Sequence, residues 1–257
     1  MALYGLIGFP LSHSLSYKIN NAVLNRYGDH YVIFETKPEE LFSTVMGLKV
    51  LSRGFNVTIP HKKSIILYLD HLSEDAERIG AVNAVKVEQR TATGYNTDYL
   101  SILNLMNGRN VQTAMIFGAG GGARATAYAL FRLGCDRFFI YNRTKENALS
   151  LKSKIEGWGA KAEVTEDPKS ADVFVNATPM GMYANDEALI EFYLKGKYRT
   201  VIDLAYDLKG TSLSKLAKDY ISGIEILIEQ AALSIEIWKG IKVDRKEMRS
   251  ALHENKG

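Results

Sequence analysis

A glycine-rich turn near the middle of the chain has the residue types and spacing that bind phosphate. Residues 118–123 read Gly-Ala-Gly-Gly-Gly-Ala and lie between an apolar run at 114–117 and a helical stretch at 122–133. Glycines permit a tight turn and let a pyrophosphate approach the backbone amides, and the small Ala123 permits close helix–strand packing. This context predicts a dinucleotide site. Its residues are Gly118, Ala119, Gly120, Gly121 and Gly122.

The end of the next predicted strand, 137–141, indicates which dinucleotide is bound. An NAD site usually has an acidic residue there, about 20 positions after the glycines, which accepts a hydrogen bond from the ribose. Here the strand is followed by Asn142, Arg143, Thr144 and Lys145, with no carboxylate. A guanidinium offers a planar fork of donors to phosphate, so the segment predicts NADP, which carries a 2′-phosphate. The alternative is that Arg143 is a solvated surface residue.

Serines and a histidine follow the first predicted strand and could bind an anion. Residues 8–16 read Gly-Phe-Pro-Leu-Ser-His-Ser-Leu-Ser and lead into a predicted helix at 16–26. Hydroxyls and the free amides of a helix start can both reach a carboxylate, which makes Ser14 and Ser16 candidates. Ser16 could instead cap the helix. His13 alone fits a structural role better than a catalytic one.

Two further strand ends carry residues that can transfer or orient protons. Lys62 follows residues 54–60, Gly-Phe-Asn-Val-Thr-Ile-Pro, and a partly desolvated lysine can exchange protons with a substrate. Asp98 follows a predicted hairpin strand at 91–95, where it could also cap the next helix. The spacing alone leaves open whether Lys62 and Asp98 meet.

The composition limits the classes of protein that could contain these groups. The chain has 257 residues, of which 46% are hydrophobic and 24% charged, as in an average globular protein. Its net charge of +3 is dispersed, which argues against nucleic acid as a partner, and no apolar run predicts a membrane span. A single cysteine, Cys135, excludes an internal disulfide and a multi-thiolate metal site, and we predict no metal. The start lacks a secretory-signal pattern, so we expect a cytoplasmic protein that binds a small molecule.

Alternating strand and helix patterns predict an α/β fold in two parts. The polar stretch 104–112 is the predicted boundary between them, and the segment 211–223 is short for a further strand. In the first part we predict strands at 4–8, 31–35, 54–57, 82–87 and 91–95, with helices at 16–26, 38–49 and 62–69. In the second we predict strands at 114–117, 137–141, 172–176 and 200–203, with helices at 122–133 and 145–155.

The C-terminal stretch has the clearest helical pattern. Apolar residues recur there at steps of four and three, which forms one stripe along a helix. The neighbouring row contains Gln230 and Ser234, so Gln230 lies at the edge of the buried face, either as a rim residue or as part of a site. The stripe consists of Ile224, Ile228, Ala231, Ile235 and Trp238.

Taken together, these motifs resemble the shikimate dehydrogenase family over nearly the whole chain. The matching segments are 8–10, 13–16, 54–60 with Lys62, 80–83, 96–98, 118–123, 142–144, 176–178, 181–182, 203–206 and 230–231. The resemblance implies an N-terminal αβ substrate domain, residues 1–106, and a Rossmann-like NADP-binding domain, residues 107–223. C-terminal helices at about 224–257 would pack back on the first domain. The implied reaction is the reversible, NADPH-dependent reduction of 3-dehydroshikimate to shikimate, by a monomer or a homodimer.

The resemblance also implies roles for single residues. Lys62 would transfer the proton, and Asp98 would orient the substrate hydroxyl and the Lys62 ammonium. Ser14 and Ser16 would hold the carboxylate. The other substrate contacts would come from Thr58, Asn83, Asp98, Tyr206 and Gln230. The cofactor would meet the glycine-rich turn, residues 142–145, Leu204, Gly223 and, as a further candidate, Glu74.

The chain departs from the family pattern at Tyr17, Asn20, Tyr99, Ser101, Asn147 and Glu225. Asn147 stands where a basic residue is common, so Lys145 is expected to serve the 2′-phosphate instead. Two other functions fit part of the pattern. One is a quinate/shikimate dehydrogenase of broader substrate and cofactor range. The absence of an acidic residue after Tyr141 argues against its use of NAD. The other is a non-catalytic module that senses shikimate or a dinucleotide, and retention of Lys62 with Asp98 argues against it.

Overall fold

The computed structural model describes residues 1–12, 14–180, 195–206 and 211–253, so His13 and the motif at 181–182 lie outside the described residues. The chain divides into two compact units. One consists of Met1–Thr97 with Leu227–Gly257, and the other of Asp98–Ile226. None of the described helices has the length and apolar character needed to cross a membrane.

The first unit is built on a mixed sheet. Its strands are Leu3–Gly8 (β1), His30–Glu35 (β2), Gly54–Val57 (β3), His71–Leu72 (β4), Ala84–Glu88 (β5) and Thr91–Tyr95 (β6), in the order β2-β1-β3-β5-β6-β4. β1 is parallel to both β2 and β3, whereas β5 is antiparallel to β3 and β6. All four residues of β3 are buried, which explains why its sequence does not alternate between buried and exposed residues. The helices are Ser16–Leu24 (α1), Leu41–Leu51 (α2) and Glu74–Ile79 (α3).

The second unit is built on a parallel sheet with the strand order of a Rossmann-like fold. A helix at Thr97–Leu105 (α4) leads into it, and Gly121–Arg132 (α5) and Lys145–Trp158 (α6) follow the first two strands. The strands are Thr113–Phe117 (β7), Arg137–Tyr141 (β8), Lys161–Val164 (β9), Ala171–Asn176 (β10), Tyr198–Asp203 (β11) and Asp219–Ile221 (β12), in the order β9-β8-β7-β10-β11-β12. In such sheets ligands bind at the carboxyl ends of the strands where the order reverses, here between β7 and β10.

The last two described helices, Gly223–Lys239 (α7) and Arg245–His253 (α8), complete the first unit, as predicted. Trp238 of α7 stacks on Tyr4 of β1 with ring centroids 5.0 Å apart, and its Nε1 donates a hydrogen bond to the Val85 carbonyl at 2.9 Å. On α8, Glu247 pairs with Arg26 at 2.7 Å. The apolar stripe of α7 is buried from Ile228 onward, whereas Ile224 is half-buried.

The predicted helix at 62–69 is wrong. Residues Ser64–Tyr68 form a short 3₁₀ helix instead, preceded by a turn. The Lys62 carbonyl, which would start an α-helical ladder, accepts a hydrogen bond from the Val82 amide at 2.8 Å. This tertiary bond ties the segment to the strand region before β5 and overrides the local helical pattern.

Several short elements were not predicted. α3, β4, β9 and β12 have between two and six residues, and the three-residue β12 lies in the 211–223 segment that we considered short for a strand. The division between the units falls after Thr97, the first residue of α4, whereas the predicted domain boundary follows that helix.

Candidate functional site

The carboxyl ends of β1 and β3 place two predicted substrate segments side by side. The Thr58 amide donates to the Ile7 carbonyl at 2.9 Å, and the Phe9 amide donates to the Ile59 carbonyl at 3.0 Å. These bonds extend the parallel pairing of β1 and β3 beyond the last strand residues. The serine turn after β1 and the Thr58 segment after β3 therefore leave the sheet together.

Ser14 and Ser16 lie at the start of α1. The Ser16 backbone amide donates to Ser14 Oγ at 3.3 Å, while Ser14 is half-buried and Ser16 is 8% exposed. α1 begins at Ser16, and Leu15 occupies the N-cap position without a side-chain bond. The alternative in which Ser16 caps the helix is therefore wrong, because Ser14 supplies the side-chain acceptor at this helix start.

The backbone around Lys62 is anchored on both sides. Besides the bond from the Val82 amide, the buried His61 side chain donates through Nε2 to the Thr36 carbonyl at 2.7 Å. The His61 amide donates to the Thr58 carbonyl at 2.9 Å. Lys62 itself is half-buried. These bonds fix the point from which its flexible side chain extends.

Asn83 and Gln230, both predicted to bind substrate, are in the same hydrogen-bonded group. Asn83 Nδ2 donates to Thr97 Oγ1 at 3.0 Å and to Gln230 Oε1 at 3.5 Å, although Gln230 is 147 positions away in sequence. The Thr97 amide donates to Asn83 Oδ1 at 2.6 Å, and Gln230 Nε2 donates to the Leu227 carbonyl at 3.0 Å. Gln230 is thus a bonded member of the group rather than an isolated rim residue.

A chain of buried polar side chains supports this group, and the sequence analysis missed it. Asn56 Nδ2 donates to Ser234 Oγ at 2.9 Å and to the Asn83 carbonyl at 3.1 Å. Tyr31 donates through its hydroxyl to Asn56 Oδ1 at 2.8 Å, and complete burial raises the pKa of Tyr31 well above its ordinary value. Ser234 Oγ donates to the Gln230 carbonyl at 2.8 Å. A signal was present, because Ser234 shares the helix row of Gln230.

Asp98 and Tyr206, the other two predicted substrate residues, belong to the second unit. Asp98 is half-buried and is the second residue of α4, so it lies inside that helix rather than at its N-cap position. Its carbonyl accepts a hydrogen bond from Ser101 Oγ at 2.7 Å. Tyr206 follows β11, and burial raises the pKa of its phenol. Tyr99, a departure from the family pattern, is buried against Tyr128, with ring centroids 5.0 Å apart.

The glycine-rich turn has the geometry that a dinucleotide phosphate requires. Gly118 has a φ of +103°, and a Cβ there would lie 2.6 Å from the Ala177 carbonyl oxygen, so only glycine fits. Gly120 precedes the first residue of α5, is exposed, and has no described atom within 4 Å of the position that a Cβ would take. This open cradle at a helix N-terminus fits a pyrophosphate. Gly121 and Gly122 are half-buried, and Ala119 is 5% exposed.

Of the predicted cofactor residues after β11, Leu204 lies beside this turn and Gly223 packs against the residue that follows Leu204. A Cβ on Gly122 would come within 3.0 Å of Leu204 Cδ1, and a Cβ on Gly223 would come within 2.2 Å of the Ala205 carbonyl oxygen. The buried Asp203 holds this region together. Its carboxylate accepts hydrogen bonds from Asn176 Nδ2 at 2.8 Å, from the Ala205 amide and the Tyr220 hydroxyl, each at 3.1 Å, and from Thr211. Burial raises the pKa of Asp203 despite these donors.

The segment predicted to bind the 2′-phosphate joins β8 to α6. Arg143, Thr144 and Lys145 are exposed, and Asn142 Nδ2 donates to the Thr144 carbonyl at 2.7 Å. Among the described residues, neither Arg143 nor Lys145 is engaged in an ion pair. Two cations at a helix start suit a doubly charged phosphate. Glu74, in contrast, is exposed in the first unit and pairs with Arg78 at 2.9 Å.

Three family models match successive parts of the chain. Residues 6–85 match the shikimate dehydrogenase substrate binding domain, residues 102–207 match shikimate / quinate 5-dehydrogenase, and residues 223–253 match the shikimate 5′-dehydrogenase C-terminal domain. A curated relative, the shikimate dehydrogenase (NADP(+)) of Aquifex aeolicus, is 36% identical over an alignment of 270 positions, gaps included, which covers 99% of this chain and 97% of the relative.

Solved structures give the same result. The crystal structure of shikimate dehydrogenase from Aquifex aeolicus has a TM-score of 0.87 and 34% identity, and the match covers 99% of this chain and 98% of that one. The shikimate 5-dehydrogenase of Thermus thermophilus, in complex with NADP(H) and shikimate, has a TM-score of 0.85 and 29% identity, with 98% and 99% covered.

Proposed function

This chain belongs to the shikimate dehydrogenase family, and we propose that its first unit binds shikimate while its second unit binds NADP. The enzyme is an NADP-dependent oxidoreductase that interconverts 3-dehydroshikimate and shikimate. The observation that carries this conclusion is the 36% identity to an NADP(+)-dependent shikimate dehydrogenase over 99% of the chain. In terms of sequence, the substrate domain is residues 1–106 with about 224–257, and the NADP domain is residues 107–223.

The substrate carboxylate binds at the serine turn in this proposal. Ser14 and Ser16 present their hydroxyls where α1 begins, and the dipole of that helix favours a negative charge. The hydroxyl groups of the ring bind to Asn83 and Gln230, whose amides are held in one hydrogen-bonded group. Further contacts are proposed for Thr58, Asp98 and Tyr206.

The cofactor binds to the second unit in this proposal. The pyrophosphate lies on the turn Gly118–Gly122, where Gly120 leaves room for it, and the 2′-phosphate is bound by the segment that follows β8. The remaining cofactor contacts are Leu204 and Gly223. The contributing residues after β8 are Asn142, Arg143, Thr144 and Lys145.

Proton transfer is assigned to Lys62. When bound, NADPH supplies a hydride to the carbonyl carbon of the substrate, and a proton must then reach the oxygen. Lys62 donates that proton from its ammonium group and accepts it again in the reverse direction. Asp98 orients the ammonium and the substrate hydroxyl. The assignment to Lys62 is supported by its anchored backbone, because its carbonyl accepts a hydrogen bond from the amide of Val82, the residue before Asn83.

Kinetics of two neighbouring lysine variants test this role. Lys62→Ala should lower kcat by about 10²–10⁴-fold with little change in the KM for shikimate, because proton transfer is an interaction of the transition state. Lys63→Ala, which removes an exposed lysine next in the chain, is the matched control and should stay near wild type. A folded Lys62→Ala variant that turns over like the control would remove Lys62 from the mechanism.

We further propose a cytoplasmic location and a monomeric or homodimeric state. Cys135 is buried, and burial raises the pKa of its thiol to about 12, so the thiol stays protonated and inert at neutral pH. A single inert thiol is typical of proteins from a reducing compartment. Light scattering at micromolar concentration would distinguish the two oligomeric states.

A further inference from the structure

Arg124 is a buried cation beside the glycine-rich turn. It is the fourth residue of α5, it is only 8% exposed, and its backbone amide donates to the Gly120 carbonyl at 3.1 Å. Its Nη2 donates to Ser150 Oγ of α6 at 2.9 Å, and its Nε is buried without a hydrogen-bond partner among the described residues. Burial lowers the pKa of Arg124, and no carboxylate of the described chain pairs with it. The guanidinium is therefore only partly satisfied within the protein.

Such an arrangement is unfavourable for the protein without ligand. A buried charge without a counter-ion costs far more than a buried apolar side chain, and replacing buried charges by apolar residues often stabilises a fold. Residues that lower stability in this way are typically retained for function. The unpaired charge of the guanidinium thus points to an anion that arrives from outside the chain.

The position of Arg124 indicates which anion this is. Along α5, it lies one turn after Gly120, at the proposed pyrophosphate site. Along α6, its partner Ser150 lies five residues after Lys145, which is about 7.5 Å at a rise of 1.5 Å per residue. The Arg124 side chain therefore joins the first turn of α5 to the second turn of α6, the helix that begins at Lys145. The negative charge expected there is the 2′-phosphate.

We propose that Arg124 is a further specificity-determining residue, whose fixed positive charge selects dinucleotides that carry a 2′-phosphate. The proposal rests on the proposed binding of NADP by this unit. A phosphate monoester carries about −1.5 to −2 charges at pH 7. A guanidinium that is shielded from water acts on it through a lower dielectric than the exposed Arg143 does. NAD lacks this group, so Arg124 discriminates between the two cofactors.

Binding of two adenine nucleotides to the ligand-free protein tests the proposal without any turnover. Adenosine 2′,5′-bisphosphate has the 2′-phosphate and adenosine 5′-monophosphate lacks it, so calorimetric titration with each gives the preference directly. Arg124→Met, which keeps length without charge, should reduce the affinity for the bisphosphate at least tenfold and change that for the monophosphate less than threefold. Arg124→Lys should retain most of the preference. Ser150→Ala, the matched control, removes the described side-chain partner and should keep the preference.

Thermal unfolding of the same variants separates this role from a structural one. We expect ligand-free Arg124→Met to unfold at the wild-type temperature or above it, since the variant no longer buries an unpaired charge. Arg124→Gln, which keeps a donor for Ser150, repeats the test with a second uncharged side chain. If Arg124→Met and Arg124→Gln keep the wild-type preference for the bisphosphate over the monophosphate, the role of Arg124 is overturned, while the proposed NADP site stands. An equal loss of affinity for both nucleotides would also overturn the role of Arg124, because it would mean that Arg124 supports the structure of the site and does not select the 2′-phosphate. Wild-type protein without any preference would overturn the proposed NADP site as well.

Discussion

Replacing two glycines of the same turn, Gly118 and Gly120, should have opposite consequences. Gly118 has a φ of +103°, and the added methyl of Gly118→Ala would lie 2.6 Å from a carbonyl oxygen. A left-handed backbone costs an L-residue roughly 1–2 kcal/mol. Because the contact must also be relieved, we expect Gly118→Ala to lower the free energy of unfolding by about 2–4 kcal/mol.

Gly120→Ala should leave stability nearly unchanged but impair cofactor binding. Gly120 has φ −77° and ψ −168°, an extended conformation open to any residue, and the added methyl would meet no described atom within 4 Å. We expect a change in unfolding free energy of less than about 1 kcal/mol. The methyl would, however, stand where the pyrophosphate must approach, so NADP affinity should fall by about 10–100-fold, or roughly 1.4–2.8 kcal/mol.

Urea unfolding and calorimetric NADP titration measure the two effects. Gly157→Ala is the control for both, because Gly157 lies near the end of α6, away from the turn, and its added methyl also has no described atom within 4 Å. It should keep wild-type NADP affinity and gain up to about 1 kcal/mol of stability from its helix position. Gly120→Ala with wild-type NADP affinity would refute the proposed phosphate position. Equal stability of Gly118→Ala and Gly120→Ala would refute the geometric argument.

Three further predictions concern the rest of the site and its support. Ser14→Ala with Ser16→Ala should raise the KM for shikimate tenfold or more and leave that for NADP unchanged, because a hydrogen bond to a charged group contributes about 1.5–3 kcal/mol; steady-state kinetics that show no rise would contradict this. Ser234→Ala deprives the buried Asn56 amide of one acceptor and should lower the unfolding free energy by about 1–3 kcal/mol. Urea denaturation measures this change, and wild-type stability of the variant would contradict the prediction. Hydrogen bonds from Arg109 lower the pKa of Asp219, so this stabilisation is present above about pH 4 and is lost as the pH falls through the lowered pKa. In urea denaturation, the difference in unfolding free energy between wild type and Asp219→Asn should therefore shrink from pH 7 to about pH 3. A difference that stays constant over this range would contradict the prediction.

The elements that bind the proposed ligands were largely predictable because their signals are local. Within one short stretch of sequence, β7 is identified by the apolar run before Gly118. The turn is identified by the spacing of the glycines, and α5 by the helical pattern that follows. The same holds for β3, whose bounds 54–57 agree with the prediction. Short elements such as β4 and β12 were missed because two or three residues carry no usable periodicity.

Contacts between distant residues could not be predicted in this way. Asn56 and Ser234 are 178 positions apart, and only the packing of α7 on the first sheet brings them together. The bond from Val82 to Lys62 likewise overrode a helical pattern that was plausible by itself. Arg124 looked like an ordinary residue of α5, and its significance follows only from its burial and its unsatisfied Nε. Side-chain burial is decided by tertiary packing, which a single sequence does not display.

The reaction itself can be measured most directly by absorbance of reduced nicotinamide with the purified protein. Shikimate and quinate are each paired with NADP and with NAD, at equal concentrations and the same pH. From the proposed function, we expect rapid reduction of NADP with shikimate and much slower turnover in the three other combinations. Absence of turnover with shikimate and NADP, or equal rates with NAD, would contradict it.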